Sequence, residues 1–434
     1  MRTIAVVALV FVIVSNAGRS PAHASLAGSL DALSAAPDVF LSDTRVFTKG
    51  EQVADVLTPQ LQTLLLRGID FPLPPTAPGF VYSYDPQLQA LTRSKSLGPA
   101  FSERPQTVGR GRFDVGGSFL YGDLDSVDGG GFGTSESLFV DKTVNVSQGA
   151  TSVDLPFRDL TVNIRSFSLK SSQFNFTATY GITDRWDVNV LLPLIYNTLD
   201  VHADQTLRLL ADPGASLTAE QRQLIPAPLR IPVHVEDDAF GPGDLFLRTK
   251  YRLLDEPLSL AGGLVVRFPS GDTDNFFGLG DYIVTPFLVG SKLIGPPEFA
   301  LDLHGSIAID ADASNLSASR ARYSLGAVWQ FGERFALLSD LIGSSGLADD
   351  SFDVKSSVGV SSAYNGIDTV EAKRAGNQFV TTYTVARYDI IDLAMGVKVA
   401  VSENGTAFLG AVIPVNNSGV RADVIPTGGI EFNF

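Results

Sequence analysis

Apolar and polar residues alternate with a period of two through most of the sequence from position 112 to position 434. Between positions 173 and 181, for example, Phe174 and Phe176 fall on one face while Asn175 and Thr177 fall on the other. Because successive side chains of a β-strand point to opposite sides, this pattern predicts strands with one apolar and one polar face. A soluble β-sandwich would show the same alternation, so the pattern indicates an all-β fold without identifying its surroundings.

The lengths of the connections between these strands distinguish a soluble sandwich from a membrane barrel. Very short links are predicted at 183–185, 255–257, 295–298, 332–334 and 402–405, and they alternate with longer links at 197–239, 270–279, 310–319, 343–378 and 416–423. Short turns on one rim and long loops on the other are typical of transmembrane antiparallel β-barrels of outer membranes. We therefore predict that residues 111–434 form such a barrel.

The same links give the number of strands. They separate eleven strands between positions 173 and 434, and one further strand at 112–121 makes an even twelve with both ends on the short-turn rim. If 137–146 and 160–169 form a separate pair, the number becomes fourteen. We expect twelve.

The first 24 residues resemble a secretory signal peptide. Arg2 precedes an apolar stretch at 4–14, and Ala22 and Ala24 fit the small-residue rule for signal cleavage. The apolar stretch is too short for a spanning helix, which needs about 20 residues. We expect a cleaved signal at 1–24 and a destination in the cell outer membrane of a Gram-negative-type envelope.

Composition excludes several classes of function. The chain has no cysteine, which removes disulfides and thiolate chemistry. Its formal net charge is -15 and no basic patch is visible, which argues against nucleic acid as a partner. Nothing in the sequence calls for a cofactor.

Residues 25–110 differ from the rest and form a predicted amino-terminal module. One short helix is expected, with Thr58 as N-cap, Pro59 in the first helical position and Gly68 just past the end. A proline-rich, mixed-charge stretch follows it. Either part of 80–110 folds into the barrel as a plug, or the module is a periplasmic extension.

Two features predict contact with lipid and with the assembly machinery of the outer membrane. Aromatic residues collect beside the short turns, as expected of an interfacial girdle: Tyr180, Trp186, Tyr251, Phe299, Trp329, Phe331, Phe335 and Phe434. The chain also ends with Ile430, Phe432 and Phe434 at alternate positions. This ending resembles the carboxy-terminal signal by which the insertion machinery recognises barrels as an added strand.

Three glycine-containing motifs resemble a known family: 180–187 (YGITDRWD), 241–251 (GPGDLFLRTKY) and 268–272 (FPSGD) leading to 278–280 (GLG). Together they look like the outer-membrane channel family labelled as putative transporters of the MetA pathway of phenol degradation. The resemblance covers roughly residues 174–434. It implies passive passage of small solutes, with hydrophobic and aromatic compounds as the candidate classes.

Charged residues are predicted on the inward faces of the strands, where they are candidates for a constriction of the lumen: Arg248, Lys250, Arg252, Arg267, Asp187, Asp244, Asp302, His304 and Lys398. Neighbouring strands lie about 4.8 Å apart, so Arg248 or Lys250 can approach Arg267 and form a basic strip that favours anions. The alternative is that the basic residues pair with the aspartates and brace the wall.

No catalytic site is predicted. Only His202, His234 and His304 follow the signal, and no lipase elbow or zinc-protease motif accompanies them. Acidic runs at 236–238, 271–275 and 310–315 lack the full EF-hand spacing, so no metal site is predicted from them. A barrel that conducts nothing and serves as a structural or surface-binding protein is the alternative to a channel.

Overall fold

A computed structural model describes most of the chain. The described residues are 25–33, 39–41, 44–47, 57–69, 82–85, 90–93, 97–139, 143–255, 257–295, 299–313, 319–356, 359–360, 367–375, 378–385 and 387–434. The expected signal peptide at 1–24 lies outside them. Among the helices in these ranges, none has the length and apolar character needed to cross a membrane.

Twelve antiparallel strands close into a ring. In order around the ring they are β5 (Phe113–Leu124), β10 (Phe157–Thr183), β11 (Trp186–Leu210), β13 (Leu245–Leu254), β14 (Ser259–Phe268), β15 (Ile283–Ile294), β16 (Leu301–Asp312), β17 (Arg320–Phe331), β18 (Phe335–Gly346), β23 (Asp389–Ala400), β24 (Gly405–Pro414) and β26 (Ile425–Asn433). The last strand pairs with the first, and Phe113 and Phe434 exchange two backbone hydrogen bonds of 3.0 and 2.7 Å at this seam. The all-β class and the twelve strands predicted from the sequence are confirmed.

Two ring strands are much longer than a membrane requires. β10 has 27 residues and β11 has 25, whereas about 10 residues suffice for one crossing. Beyond the ring their extensions carry β12 (Leu229–Pro242) and β7 (Gly133–Phe139), and β20 (Gly359–Val360) pairs with β7. The prediction of a long loop at 197–239 is wrong, because this interval is largely a strand hairpin. Residues 160–169, which the fourteen-strand alternative assigned to a separate pair, belong to β10.

The remaining elements are short. The strands are β1 (Val39–Leu41), β2 (Thr44–Phe47), β3 (Tyr82–Asp85), β4 (Ala90–Arg93), β6 (Ser126–Val127), β8 (Val144–Gln148), β9 (Thr151–Leu155), β19 (Asp350–Ser356), β21 (Ile367–Ala375), β22 (Gln378–Val385) and β25 (Val420–Arg421). The helices are α1 (Leu26–Leu30), α2 (Leu57–Gly68) and α3 (Ala219–Gln223), with 3₁₀ turns at Asp31–Leu33 and Thr273–Asn275. Helix α2 starts at Leu57 and includes Gly68, so Thr58 lies inside the helix and the predicted caps are each displaced.

The ring has its polar residues inside and its apolar residues outside. On β10, Phe174 and Phe176 are 44% and 53% exposed, whereas Asn175 and Thr177 are buried. The same inversion holds on β13, where Leu247 is exposed and Arg248 buried. An apolar exterior around a closed ring suits hydrocarbon, because lipid offers no hydrogen bonds to an open sheet edge. The protein is an outer-membrane β-barrel.

Exposed aromatic rings mark both ends of this apolar band. All eight rings predicted for the short-turn girdle are at least 40% exposed. Toward the long-loop rim, Tyr196 of β11 stands opposite Phe240 of β12, and both rings are exposed. Rings at these levels fit the two headgroup regions of a bilayer.

The described parts of the amino-terminal module contact the long-loop rim and the lumen. The amide of Leu26 donates to Asn275 Oδ1 at 3.0 Å, and Gln62 Nε2 donates to Asp274 Oδ1 at 3.0 Å, both in the 270–279 loop. Ser29 binds Asp237 on the β11–β12 hairpin. These contacts hold α1 and α2 at the long-loop rim.

Candidate functional site

Residues 97–112 run along the interior of the ring and lead to β5 at the short-turn rim. We call this stretch the lumen segment. One end is bonded through the amide of Leu97 to Gln330 Oε1 at 3.0 Å, and the other through the amide of Gly111 to the carbonyl of Gly181 at 2.8 Å; both partners lie beside short turns. The wall therefore holds this segment along its length.

Two lysines of the predicted inward set bind the lumen segment. Lys250 Nζ lies 2.7 Å from Glu103 Oε1 and donates to the carbonyl of Arg104 at 2.9 Å. Lys398 Nζ donates to the carbonyl of Pro99 at 3.3 Å. Both lysine side chains are fully buried or nearly so. Their charges are placed to fix backbone and carboxylate groups of the segment.

A buried aspartate on β18 joins the segment to another predicted residue. Asp340 Oδ1 accepts a hydrogen bond from Ser102 Oγ at 2.5 Å and lies 2.6 Å from His304 Nε2. All three side chains are buried. Sequence reasoning selected His304 but missed Asp340 and Ser102, because neither carries a motif.

A second carboxylate of the wall binds the carboxyl-terminal part of the segment. Asp187 Oδ2 accepts from the amide of Val108 at 3.0 Å. Elsewhere in the segment, burial lowers the pKa of Arg104, while nearby carboxylates including Glu431, Asp114 and Asp302 act in the opposite direction. Asp302, another predicted inward residue, thus lies close enough to stabilise the guanidinium charge.

An aromatic residue anchors the middle of the segment. Phe101 packs edge-on against Phe408 of β24, with ring centroids 6.1 Å apart. It also covers Gly396 and Gly410, which face each other in neighbouring strands. A Cβ atom at Gly410 would lie 2.7 Å from Phe101 Cζ, so only glycine leaves room for the ring here.

The lumen segment and helix α2 flank a half-open chamber of about 260 Å³ against the wall. Leu66 and Ile69 bound it toward the long-loop rim, and Phe101, Ser102 and Glu103 bound it toward the short-turn rim. Its wall is mixed. The lining rings are Phe246, Phe287 and Tyr323, and the lining charges are Arg248, Arg267, Arg320, Arg322, Asp310 and Glu103. A smaller cavity of about 120 Å³ adjoins it and shares Phe246 and Arg267.

The predicted basic strip is therefore divided. Arg248 and Arg267 both line the chamber, and their guanidinium carbons lie 5.9 and 5.3 Å from the centre of the Phe246 ring. Arg252 instead lies at the short-turn rim, where it donates to the carbonyl of Asp184 at 2.9 Å and pairs with Asp255 at 3.1 Å. Arg252 does not belong to a constriction of the chamber.

The second and third sequence motifs meet at Asp244, in the break between β12 and β13. Its carboxylate accepts from Arg267 Nε at 2.6 Å and from the amides of Gly271 and Leu279 at 2.9 and 3.0 Å. A Cβ at Gly278 would lie 2.3 Å from Asp244 Oδ1, which explains the glycine. The ion pair of Arg267 with Asp244 is of the kind expected if the inward basic residues brace the wall rather than form a basic strip.

In the acidic runs that lack the EF-hand spacing, several carboxylates form hydrogen bonds or ion pairs with other residues of the protein. Asp272 accepts from the amide of Asp274 and from Asn275 Nδ2 at 3.0 and 2.7 Å. Asp310 accepts from Thr285 Oγ1 at 2.7 Å and binds Arg322. Part of the 310–315 run lies outside the described residues.

No family model matches this sequence, and no curated protein matches it. Among solved structures, the chain is similar to the COG4313 outer membrane channel from Pseudomonas putida F1, with 12% identity, a TM-score of 0.42, and 76% of this chain and 98% of that chain covered. It is also similar to the CymD monoaromatic hydrocarbon channel (10% identity, TM-score 0.31, 75% and 89% covered). The Ralstonia pickettii toluene transporter TbuX is a further similar structure (11% identity, TM-score 0.26, with 78% of this chain and 94% of that chain covered). These values are too low to transfer a function, and the class of this protein follows from its own closed barrel.

Proposed function

We propose that this protein is an outer-membrane channel for small organic solutes, closed in the present conformation by its lumen segment. The observation that carries the proposal is the chamber of about 260 Å³ inside a closed ring, bounded by helix α2 on one side and by the lumen segment on the other. A ring of twelve strands is wider than one filled by its own side chains and narrower than an open porin, so one peptide segment can occlude it.

The lining of the chamber indicates which class of solute the chamber would accept. Apolar rings suit an apolar body, and four arginines outnumber two carboxylates on the same wall. The volume is near the lower limit of small-molecule pockets, which are roughly 300 Å³ or larger. A small aromatic or aliphatic compound with an anionic or hydroxyl group satisfies these three conditions.

The finer family label belongs to this proposal as well. Membership among the putative transporters of the phenol-degradation pathway is supported by the motifs of the sequence, two of which form the contacts around Asp244. Phenolic compounds combine a ring with a hydroxyl group, so they fit the same chamber chemistry.

Transport is favoured over hydrolysis by the arrangement around Asp340. Ser102 and His304 both contact the same carboxylate oxygen, Asp340 Oδ1. Nucleophilic catalysis requires the serine hydroxyl to contact the imidazole, with the carboxylate on the far side of the ring. We therefore expect no enzymatic activity from this group.

Liposome swelling with graded solutes tests the proposal directly. We expect phenolates and small aromatic acids to enter faster than neutral sugars of equal size. Arg248→Gln should reduce the anion preference in a planar bilayer, whereas Lys292→Gln, on the exposed side of β15, should leave it unchanged. If the purified barrel neither conducts nor admits any solute, a structural or surface-binding barrel replaces the channel.

A further inference from the structure

The β11–β12 hairpin brings together two histidines and an aspartate beyond the membrane. His202 of β11 stands directly opposite His234 of β12, and their rings stack with centroids 4.1 Å apart and planes 5° apart. Asp200 lies two residues before His202 on the same face of β11. Its Oδ1 atom is 3.3 Å from His202 Nε2 and 3.1 Å from His234 Nε2.

The geometry points to a binding site for a divalent transition metal of the Zn²⁺ type, held by Asp200, His202 and His234. The ligand atoms of the three side chains lie within 4.8 Å of one another. In a tetrahedral zinc site, metal–ligand distances of about 2.0–2.1 Å place ligand atoms about 3.3 Å apart. The two distances from Asp200 Oδ1 already match that spacing, and a small tilt of the stacked rings would converge their Nε2 atoms.

The ligand set selects the type of metal. Two imidazoles and one carboxylate suit Zn²⁺, Cu²⁺ or Ni²⁺, whereas Ca²⁺ and Mg²⁺ prefer sites composed of oxygen ligands. Glu236 faces Asp200 across the strand pair and is exposed, so a rotation of its side chain would bring it to the site as a fourth ligand. Water is the alternative fourth ligand.

The site is accessible from the aqueous side. The three side chains are between 41% and 47% exposed. His202 follows Tyr196, the exposed ring near the long-loop rim, by six residues, which corresponds to about 20 Å along the strand. A metal ion therefore does not have to enter the hydrocarbon region to reach the ligands.

Metal binding at this place would brace the surface that receives the amino-terminal module. The opposite face of the same hairpin holds helix α1 through the contact of Ser29 with Asp237. It also holds the following 3₁₀ turn, where Gln205 Nε2 donates to the carbonyl of Leu33 at 2.8 Å. A ligand bridge between β11 and β12 restrains the two strands that these contacts use.

Zn²⁺ titration of the full-length barrel in detergent, after removal of any affinity tag, tests the site. We expect one Zn²⁺ per chain, about tenfold or more weaker binding in His202→Asn and in His234→Asn, and no specific binding in the double variant. Asp200→Asn should weaken binding, whereas Asp154→Asn, an exposed carboxylate of β9, should not. Co²⁺ substitution should give the visible absorption of a tetrahedral site.

A structural readout separates this site from scattered surface binding. Zn²⁺ should slow hydrogen exchange in β11 residues beyond Tyr196 and in β12 in the wild-type protein, and should not do so in the double variant. Binding that survives the double substitution, or a wild-type protein that takes up no Zn²⁺, overturns the proposal.

Discussion

Lys250 of the barrel wall and Glu103 of the lumen segment form a buried ion pair, with 2.7 Å between Nζ and Oε1. The lysine side chain is fully buried and the glutamate is 16% exposed. A buried charge is strongly destabilising once its partner is removed. The pair is therefore one of the contacts that fix the position of the segment.

Glu103→Gln should release the lumen segment. Breaking this buried pair costs about 3 kcal/mol, which weakens the docked conformation relative to a displaced one. We expect a higher single-channel conductance and faster hydrogen exchange in 97–112. Glu333→Gln, in an exposed short turn, is the matched control. Unchanged conductance and exchange in Glu103→Gln would show that the pair does not hold the channel closed.

Phe101→Ala should have a similar effect through packing alone. The ring is 7% exposed, and removing a buried phenylalanine side chain costs about 3 kcal/mol. Because the change leaves all charges in place, ion selectivity should stay constant while the frequency of open events in a planar bilayer rises. A change in selectivity without a change in opening would contradict the anchoring role of Phe101.

Asp244→Asn should loosen the loop at 270–279. Asparagine keeps one acceptor oxygen but presents an amide donor to Arg267, so the ion pair of 2.6 Å is lost and one backbone amide loses its acceptor. We expect a loss of about 3 kcal/mol in local stability and faster proteolysis within the loop. Asp255→Asn, an exposed aspartate at the other rim, serves as control. Equal protease resistance of both variants would refute the role of Asp244.

The wall of the barrel could be predicted from the sequence because the apolar–polar alternation recurs in strand after strand. Alternation on β10 and β13 fixes which side chains face lipid, and the short turns fix which rim each strand end reaches. The inward positions of Arg248 and Lys250 could be predicted for this reason. The partner of Lys250 could not, because Glu103 lies in a segment without periodicity.

The β11–β12 hairpin shows where the interpretation failed. Leu199, Val201 and Ala203 are buried while Asp200 and His202 face outward, which is the same alternation as in the barrel. The length of the interval from 197 to 239 suggested a loop and concealed this pattern. His202 lies opposite His234 because of the register between two strands about 30 residues apart in sequence. This register could not be predicted from composition.

The terminal Phe434 should matter for assembly rather than for the stability of the finished barrel. Its ring is 66% exposed, and the closing contacts with Phe113 are made by backbone atoms, so Phe434→Ala should change the free energy of unfolding by less than about 1 kcal/mol. If the insertion machinery recognises the terminal ring, the same variant should accumulate at a severalfold lower level in the outer membrane. Phe335→Ala removes another well-exposed ring (58%) at the same rim and should accumulate normally. Comparing heat-modifiable protein in the outer-membrane fraction with refolding of the purified chains separates the two effects, and equal accumulation of both variants would remove the terminal ring from the assembly signal.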